Sequence, residues 1–341
     1  MESFGHVNTQ ERIAMPVTST SHYAALAQNA YQAPIKNDSI NVEGSIYNIT
    51  GIYNNPLTGY QGTAYQSEDR SKIIIAHRGT DVSHNPIQDL MTDTKMVIAG
   101  FNLQALDAKN FTKKIIQMSH GMKTLSGQPV SISVTGHSLG GALAQMTSHD
   151  FGLPGETFNA YGAAEMLPGM PEGQGEIINN VRATDVVSAA SPHYGQVRIY
   201  ATEGDIAKLN GSNYHNDSRF ISLRNPFGGI DLDAHSIDNF ARGKDSEATG
   251  ASAQNANRYY RNKHAVDLHR HDVKTIRIPL SVLWLAPKKF IDGAKDVGAL
   301  KLKLFKLISG HFAGKAEYLK EKIHGTFGNL FQFIAGKASD K

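Results

Sequence analysis

VSISVT (Val130–Thr135), GHSLGG (Gly136–Gly141) and ALAQMTSHDF (Ala142–Phe151) follow one another without a break, and their order decides the fold. The first run is β-type, with Val and Ile alternating against Ser and Thr. The last is helix-type. Between them lies a glycine-rich turn holding Ser138, so the passage reads as strand, tight turn, helix, the repeating unit of an α/β protein. Gly136-x-Ser138-x-Gly140 is the one G-x-S-x-G in the chain. Such a pattern arises by chance about 0.1–0.2 times in this length, so its context carries the reading rather than its letters. On a strained strand-to-helix turn, glycines two before and two after the serine let strand and helix approach. The Ser138 hydroxyl then stands at a helix N-terminus, where amide groups favour a developing anion. Ser138 is the candidate nucleophile.

Working outward, Lys72–Ala76 (KIIIA) is apolar after its first residue, as a central buried strand would be. Short β-rich runs fill 45–76, and further strands are expected at Thr157–Tyr161, Glu176–Arg182 and Gln196–Tyr200. Helices are expected from Thr20 or Ser21 to Tyr31 and from Asn110 to Lys123. Residues 241–262, rich in Ala, Ser, Asn and charge, read as a linker or mobile segment.

A serine hydroxyl needs a base, and the base needs an orienting carboxylate. Downstream of Ser138 stand His193, His215, His235, His264, His269 and His271, and spacing alone does not choose among them. Asp185 is attractive because it follows a predicted strand end, where catalytic loops gather; Asp205 and Asp217 are in reserve. His235 sits in DAHSIDNF (Asp233–Phe240), with His215 in reserve.

The 341 residues exceed one average domain, and with 40% hydrophobic and 19% charged residues the chain is neither disordered nor membrane-embedded. The apolar stretch PLSVLWLAP (Pro279–Pro287) is too short to cross a bilayer. Having no cysteine, the chain has no disulfide, thiolate metal site or cysteine nucleophile. A net charge of +3 does not call for nucleic acid, and none is expected as a partner. That average hides an asymmetry: residues 261–341 carry a net +9 and residues 1–260 a net −6. Apolar residues such as Leu300, Leu304 and Phe312 interleave with Lys301, Lys303 and Lys306. Such helices either lie on an anionic bilayer, with Trp284 near the headgroups, or pack on the core. HAVDLHRHD (264–272) holds three histidines and two aspartates, but the spacing fits no strong ligand pattern; no metal and no cofactor are expected. The N-terminus has early glutamates and no apolar h-region, so a cleaved secretory signal is not expected.

GHSLGGALA (136–144), RATDVVSAASP (182–192) and AHSIDNF (234–240) resemble the three catalytic blocks of the class 3 lipases. His77-Arg78-Gly79-Thr80 is similar to that family's oxyanion block, and Asp89 and Asp93 echo the acids that follow it; Leu90 stands where the family has Trp. The resemblance covers roughly 20–240. It implies an α/β-hydrolase fold with a mostly parallel central sheet, and a C-terminal basic, helical extension beyond it. It also implies Ser138 as nucleophile, His235 as general base and acid, and Asp185 as orienter. Thr80 and the Leu139 amide would form the oxyanion hole, and a flexible lid would span about 82–105. The expected organisation is a leader at 1–18, a catalytic domain at 19–262 and the extension at 263–341. In character the chain looks similar to bacterial phospholipases A1 exported without a signal peptide. The implied substrate is phospholipid or another acyl lipid at a membrane surface, reached by a signal-peptide-independent route after a cytoplasmic stage. A cognate inhibitor or immunity protein is an expected partner. The alternatives are a triacylglycerol or general ester lipase, and a membrane-disrupting effector working through its tail.

Overall fold

A computed structural model describes residues 18–79, 94–124, 127–164, 166, 169–215, 224–241 and 250–283, with backbone alone at 94–100 and 276–283. Thr80, Asp89, Asp93, Asp217 and the lysine-rich run beyond Leu283 lie outside the described residues.

Eight strands form one sheet in chain order: β1 Ser39–Val42, β2 Ser45–Asn55, β3 Tyr60–Ser67, β4 Lys72–His77, β5 Ser131–His137, β6 Gly155–Phe158, β7 Ile177–Arg182 and β8 Gln196–Tyr200. β1 to β4 make an antiparallel meander, and β4 to β8 run parallel, so four of the seven pairings are parallel. Parallel neighbours need a crossover that carries the chain back. Helix α2 (Thr94–Ser119) lies between β4 and β5, α3 (Leu139–Phe151) between β5 and β6, and the single-turn α4 (Val186–Ala189) between β7 and β8. Helix α1 (Thr20–Asn29) covers the opposite face, touching β4, β5 and β6. This is the α/β-hydrolase architecture.

Alternation along β4 shows why the sheet is buried on both sides. Ile73 and Ile75 join the core beneath α2 and α3 with Tyr60, Phe111, Val134 and Leu143. Ile74 and Ala76 point the other way, into a core made with Leu26, Tyr47, Tyr65, Phe158 and Phe240. Successive side chains of a strand face opposite sides, so an unbroken Ile run serves two cores.

Three expectations need correcting. The N-cap of α1 is Ser19, whose hydroxyl accepts from the His22 amide, rather than Thr20 or Ser21. Helix α2 begins at Thr94 and packs against α3, with Phe101 fully buried, so the second half of the segment expected to be flexible is helix, while 82–93 lies outside the described residues. The expected linker contains α6 (Ala253–Arg261), capped by Ser252 and burying Asn255 and Tyr259. After α6, helix α7 (Lys263–Leu283) packs against α4 and against α5 (Glu203–Gly211). It buries Ala265, Val266 and His269 in a third cluster with Leu209, Tyr214 and Tyr259 or beside it.

Candidate active site

Ser138 follows β5 and caps α3 with φ 56° and ψ −126°, a conformation in which a non-glycine residue is strained. The neighbours hold it there. A Cβ on Gly140 would collide with the His77 carbonyl oxygen, and one on Gly136 with the Gly140 backbone. Strand β4, strand β5 and the first turn of α3 therefore touch through bare backbone. Ser138 N–H donates to Phe158 O at 3.2 Å, and Ser138 O accepts from Tyr161 N–H at 3.3 Å, tying the elbow to the end of β6.

The structure brings three of the expected residues together. His235 Nε2 lies 3.0 Å from Ser138 Oγ, and His235 Nδ1 lies 2.9 Å from Asp185 Oδ1. All three side chains are buried, Ser138 at 3% exposure. A carboxylate can only accept, so Nδ1 carries the proton and Nε2 of the neutral ring is left to accept from the serine hydroxyl. Asp185 also caps α4, accepting from Val187 N–H at 3.2 Å and Ser188 N–H at 2.9 Å. Burial pushes its carboxyl up, but electrostatic attraction to His235 and the hydrogen bonds from His235 and Ser188 outweigh that and hold it below the ordinary carboxylate range. One carboxylate thus caps a helix and meets His235.

Asp205, held in reserve, has other work, as do two of the other downstream histidines. Asp205 pairs with Arg182 at 3.0 Å and accepts from Thr184 and Thr202. His269 lies against the Pro226 carbonyl, and burial lowers its pKa to about 4. His193 Nε2 donates to Ser188 O at 2.8 Å. No group of three or more His, Asp or Glu able to hold a metal occurs among the described residues.

Several residues that sequence reasoning passed over place His235. Asn159, left-handed at φ 42° after β6, donates to Ala234 O at 2.7 Å and His235 O at 3.1 Å, and accepts from Arg182 N–H. Asn239 donates to the carbonyls of Asp233, Ala234 and Ser236 and accepts from Arg182 Nη1 at 2.7 Å. His137 Nε2 donates to His235 O at 2.7 Å, so its Nδ1 accepts from Tyr31 at 3.1 Å; burial lowers its pKa to about 3 and keeps it neutral. The local signals were an Asn within the run expected as a strand at Thr157–Tyr161, which the structure ends at Phe158, and His and Asn inside two motif blocks. None of these says which carbonyl is met.

The Leu139 amide opens α3, where no intrahelical carbonyl reaches it, and it sits beside the serine. Thr80 is outside the described residues, but Gly79 N lies against the elbow at Gly140. The arrangement can pass the serine proton to His235, stabilise the imidazolium beside Asp185 and offer a helix-terminal N–H to an oxyanion.

A serine on a strand-to-helix elbow of such a sheet, with histidine and aspartate in line behind it, defines a serine ester hydrolase of the lipase-like α/β class. The chain belongs to the phospholipase-like family of the Tle-like phospholipase domain, whose model matches residues 22–217. Ser138 and Asp185 fall within that span and His235 beyond it. No curated protein matches. Solved structures similar to it include the Rhizomucor miehei lipase propeptide complex, 17% identical over 54% of this chain and 67% of that one, TM-score 0.38. Lipase II from Rhizopus niveus is 22% identical over 50% and 72%, TM-score 0.38. A triacylglycerol lipase from Penicillium expansum is 20% identical over 54% and 79%, TM-score 0.38. These TM-scores are too low to add to the family assignment. No helix among the described residues is long and apolar enough to cross a membrane.

Proposed function

We propose that the protein is a phospholipase A1 that releases fatty acid from membrane glycerophospholipid through an acyl-enzyme. The observation that carries the reading is the unbroken line Ser138 Oγ, His235 Nε2, His235 Nδ1, Asp185 Oδ1, at 3.0 and 2.9 Å, in a chain of a phospholipase-like family. Ser138 Oγ attacks the ester carbonyl as His235 takes its proton. The Leu139 amide, with Thr80 as the second donor, stabilises the tetrahedral oxyanion. His235 protonates the departing lysophospholipid oxygen, then activates the water that frees the acid. The protein works as an exported effector, peripheral at the membrane, with 19–262 as catalytic domain and 263–341 as its basic extension. A cognate inhibitor restrains it where it is made.

With Ser138 at 3% exposure, an ester reaches Oγ only after the site opens. Aggregated lipid that supplies apolar area to an opened site is therefore a better substrate than a dissolved short ester.

The deciding experiment is a lipid digest read by mass spectrometry. Wild type and Ser138→Ala each meet phosphatidylglycerol carrying different sn-1 and sn-2 chains, beside a triglyceride emulsion. Release of the sn-1 acid by wild type alone is expected. Release of only the sn-2 acid, or cleavage of triglyceride alone, overturns the A1 assignment. Lysis of vesicles by Ser138→Ala as fast as by wild type would favour the tail-driven effector instead.

A further inference from the structure

Arg270 on α7 presents a problem of charge. Its guanidinium donates to Arg182 O at 3.1 Å, Ser188 Oγ at 3.3 Å and Ser188 O at 2.9 Å, all neutral acceptors. No carboxylate of the described residues lies within ion-pair distance of it. Asp185 and Asp267 attract its charge only from beyond that distance, burial still holds its pKa down, and of the five N–H groups of arginine two have no acceptor among the described residues.

Arg270 lines a cavity of about 560 Å³ between α7, α4, the turn leading into β8 and the loop before β7. No triad residue lines it. Lys274, one helical turn beyond Arg270, and His271 add basic groups from the same helix. Ser191, also on the wall, has a buried hydroxyl with no hydrogen-bond partner. The carboxylate in the lining, Glu172, is exposed, as is His271, so the mouth faces solvent there.

We propose that this cavity, behind the triad acid, binds a phosphate-type oxyanion, a free phosphate or the phosphodiester of a lipid headgroup. The guanidinium fork suits two oxygens of a tetrahedral oxyanion, and a lysine one turn away suits a third. The volume leaves room for the alcohol esterified to a phosphate. The ligand would also be coupled to the active site. Ser188 accepts from Arg270 and His193 through its carbonyl and donates to Asp185 Oδ2 through its amide, so one residue joins the cavity wall to the triad acid.

The test reads binding and does not depend on Ser138 being the nucleophile. Full-length Ser138→Ala protein, chosen so that no lipid is consumed, is titrated calorimetrically in chloride buffer with inorganic phosphate and, separately, with glycerophosphoglycerol. One-to-one binding of either probe, weakened about tenfold by Lys274→Gln and by Arg270→Gln but not by Lys208→Gln, is expected. Tighter binding of glycerophosphoglycerol assigns the site to a lipid headgroup, and tighter binding of phosphate assigns it to a free anion. Absence of saturable heat with both probes up to about 10 mM, or binding indifferent to Lys274→Gln, overturns the proposal. If Arg270→Gln does not fold, Lys274→Gln still decides, because Lys274 is only half-buried.

Discussion

The Ser138, His235 and Asp185 side chains meet through only two hydrogen bonds, and each can be removed without adding bulk. Ser138→Ala should cut kcat on phospholipid by about 10⁴–10⁶-fold and leave the melting temperature unchanged or higher, since it keeps the Cβ and removes only Oγ. Asp185→Asn is the sharper test of the tautomer argument. An amide nitrogen facing Nδ1 would turn the ring to its Nε2–H form, which cannot accept the serine proton, so a loss of about 10⁴ in kcat is expected with KM little changed. A turnover for Asp185→Asn within tenfold of wild type would mean that another carboxylate orients His235. At this scale the sequence was most readable. Ser138, Asp185 and His235 sit in motif blocks whose chemistry restricts residue type. Asn159 and Asn239 were not readable, because their role is to meet carbonyls 75 and up to 6 positions away, and no pattern of letters encodes that meeting.

Contacts between elements make the elbow rigid, and they predict opposite outcomes for two glycine-to-alanine changes. In Gly140→Ala the new methyl meets the His77 carbonyl and the Gly79 amide, which belong to backbone and cannot swing aside. Destabilisation of at least about 3 kcal/mol, at the upper end of overpacking costs, should appear in urea melts, with activity lost in step. Gly204, in the first turn of α5, has only Thr202 Oγ1 at 3.7 Å from such a methyl and no positive φ. Gly204→Ala should therefore stabilise by about 0.5–1 kcal/mol. Element boundaries separate what periodicity reveals from what composition hides. The runs at 72–77 and 196–200 are strands much as read, because alternation and apolarity act locally. Helix α6 was missed because averaging its Ala, Asn, Arg and Tyr residues over a window conceals that Asn255 and Tyr259, four apart, share the buried face.

At the scale of the whole molecule, four of the buried histidines among the described residues, His77, His137, His193 and His269, are held neutral by burial. Burial lowers the pKa to about 3 at His77 and His137 and to about 4 at His193 and His269. Their hydrogen bonds fit that state: Thr147 donates to a helix carbonyl, so His77 Nε2 donates to Thr147 and Nδ1 accepts from Tyr60. Each folded pKa lies below the unfolded value near 6.5. Above that value both states are neutral and stability is full. As pH falls through it, only the unfolded chain takes up protons, and stability is lost until the folded values near 3–4 are reached. At pH 5 each histidine costs about 2 kcal/mol, so the four together rival a typical folding free energy. Glu156, raised by burial, works in the opposite sense and offsets a small part. Melts should collapse between pH 6.5 and 5, and His77→Gln should flatten that slope by about one proton. An unchanged slope in His77→Gln would show that His77 is protonated in the fold.

The residues alone decide the α/β class, the glycine-lined turn that holds Ser138 and which residue types are at hand for the proposed acid–base chemistry, because strand alternation, glycine-lined elbows and the scarcity of side chains able to move protons near neutral pH are local properties. Tertiary structure decides which of the nine histidines downstream of Ser138 meets it, and that Asp185 both caps a helix and accepts from that histidine. It also decides that Arg270, far along the chain from the elbow, stands behind that acid. These are contacts between segments 50 to 97 residues apart, chosen by how three cores and one sheet pack together, and that packing is a property of the whole chain rather than of any stretch of it.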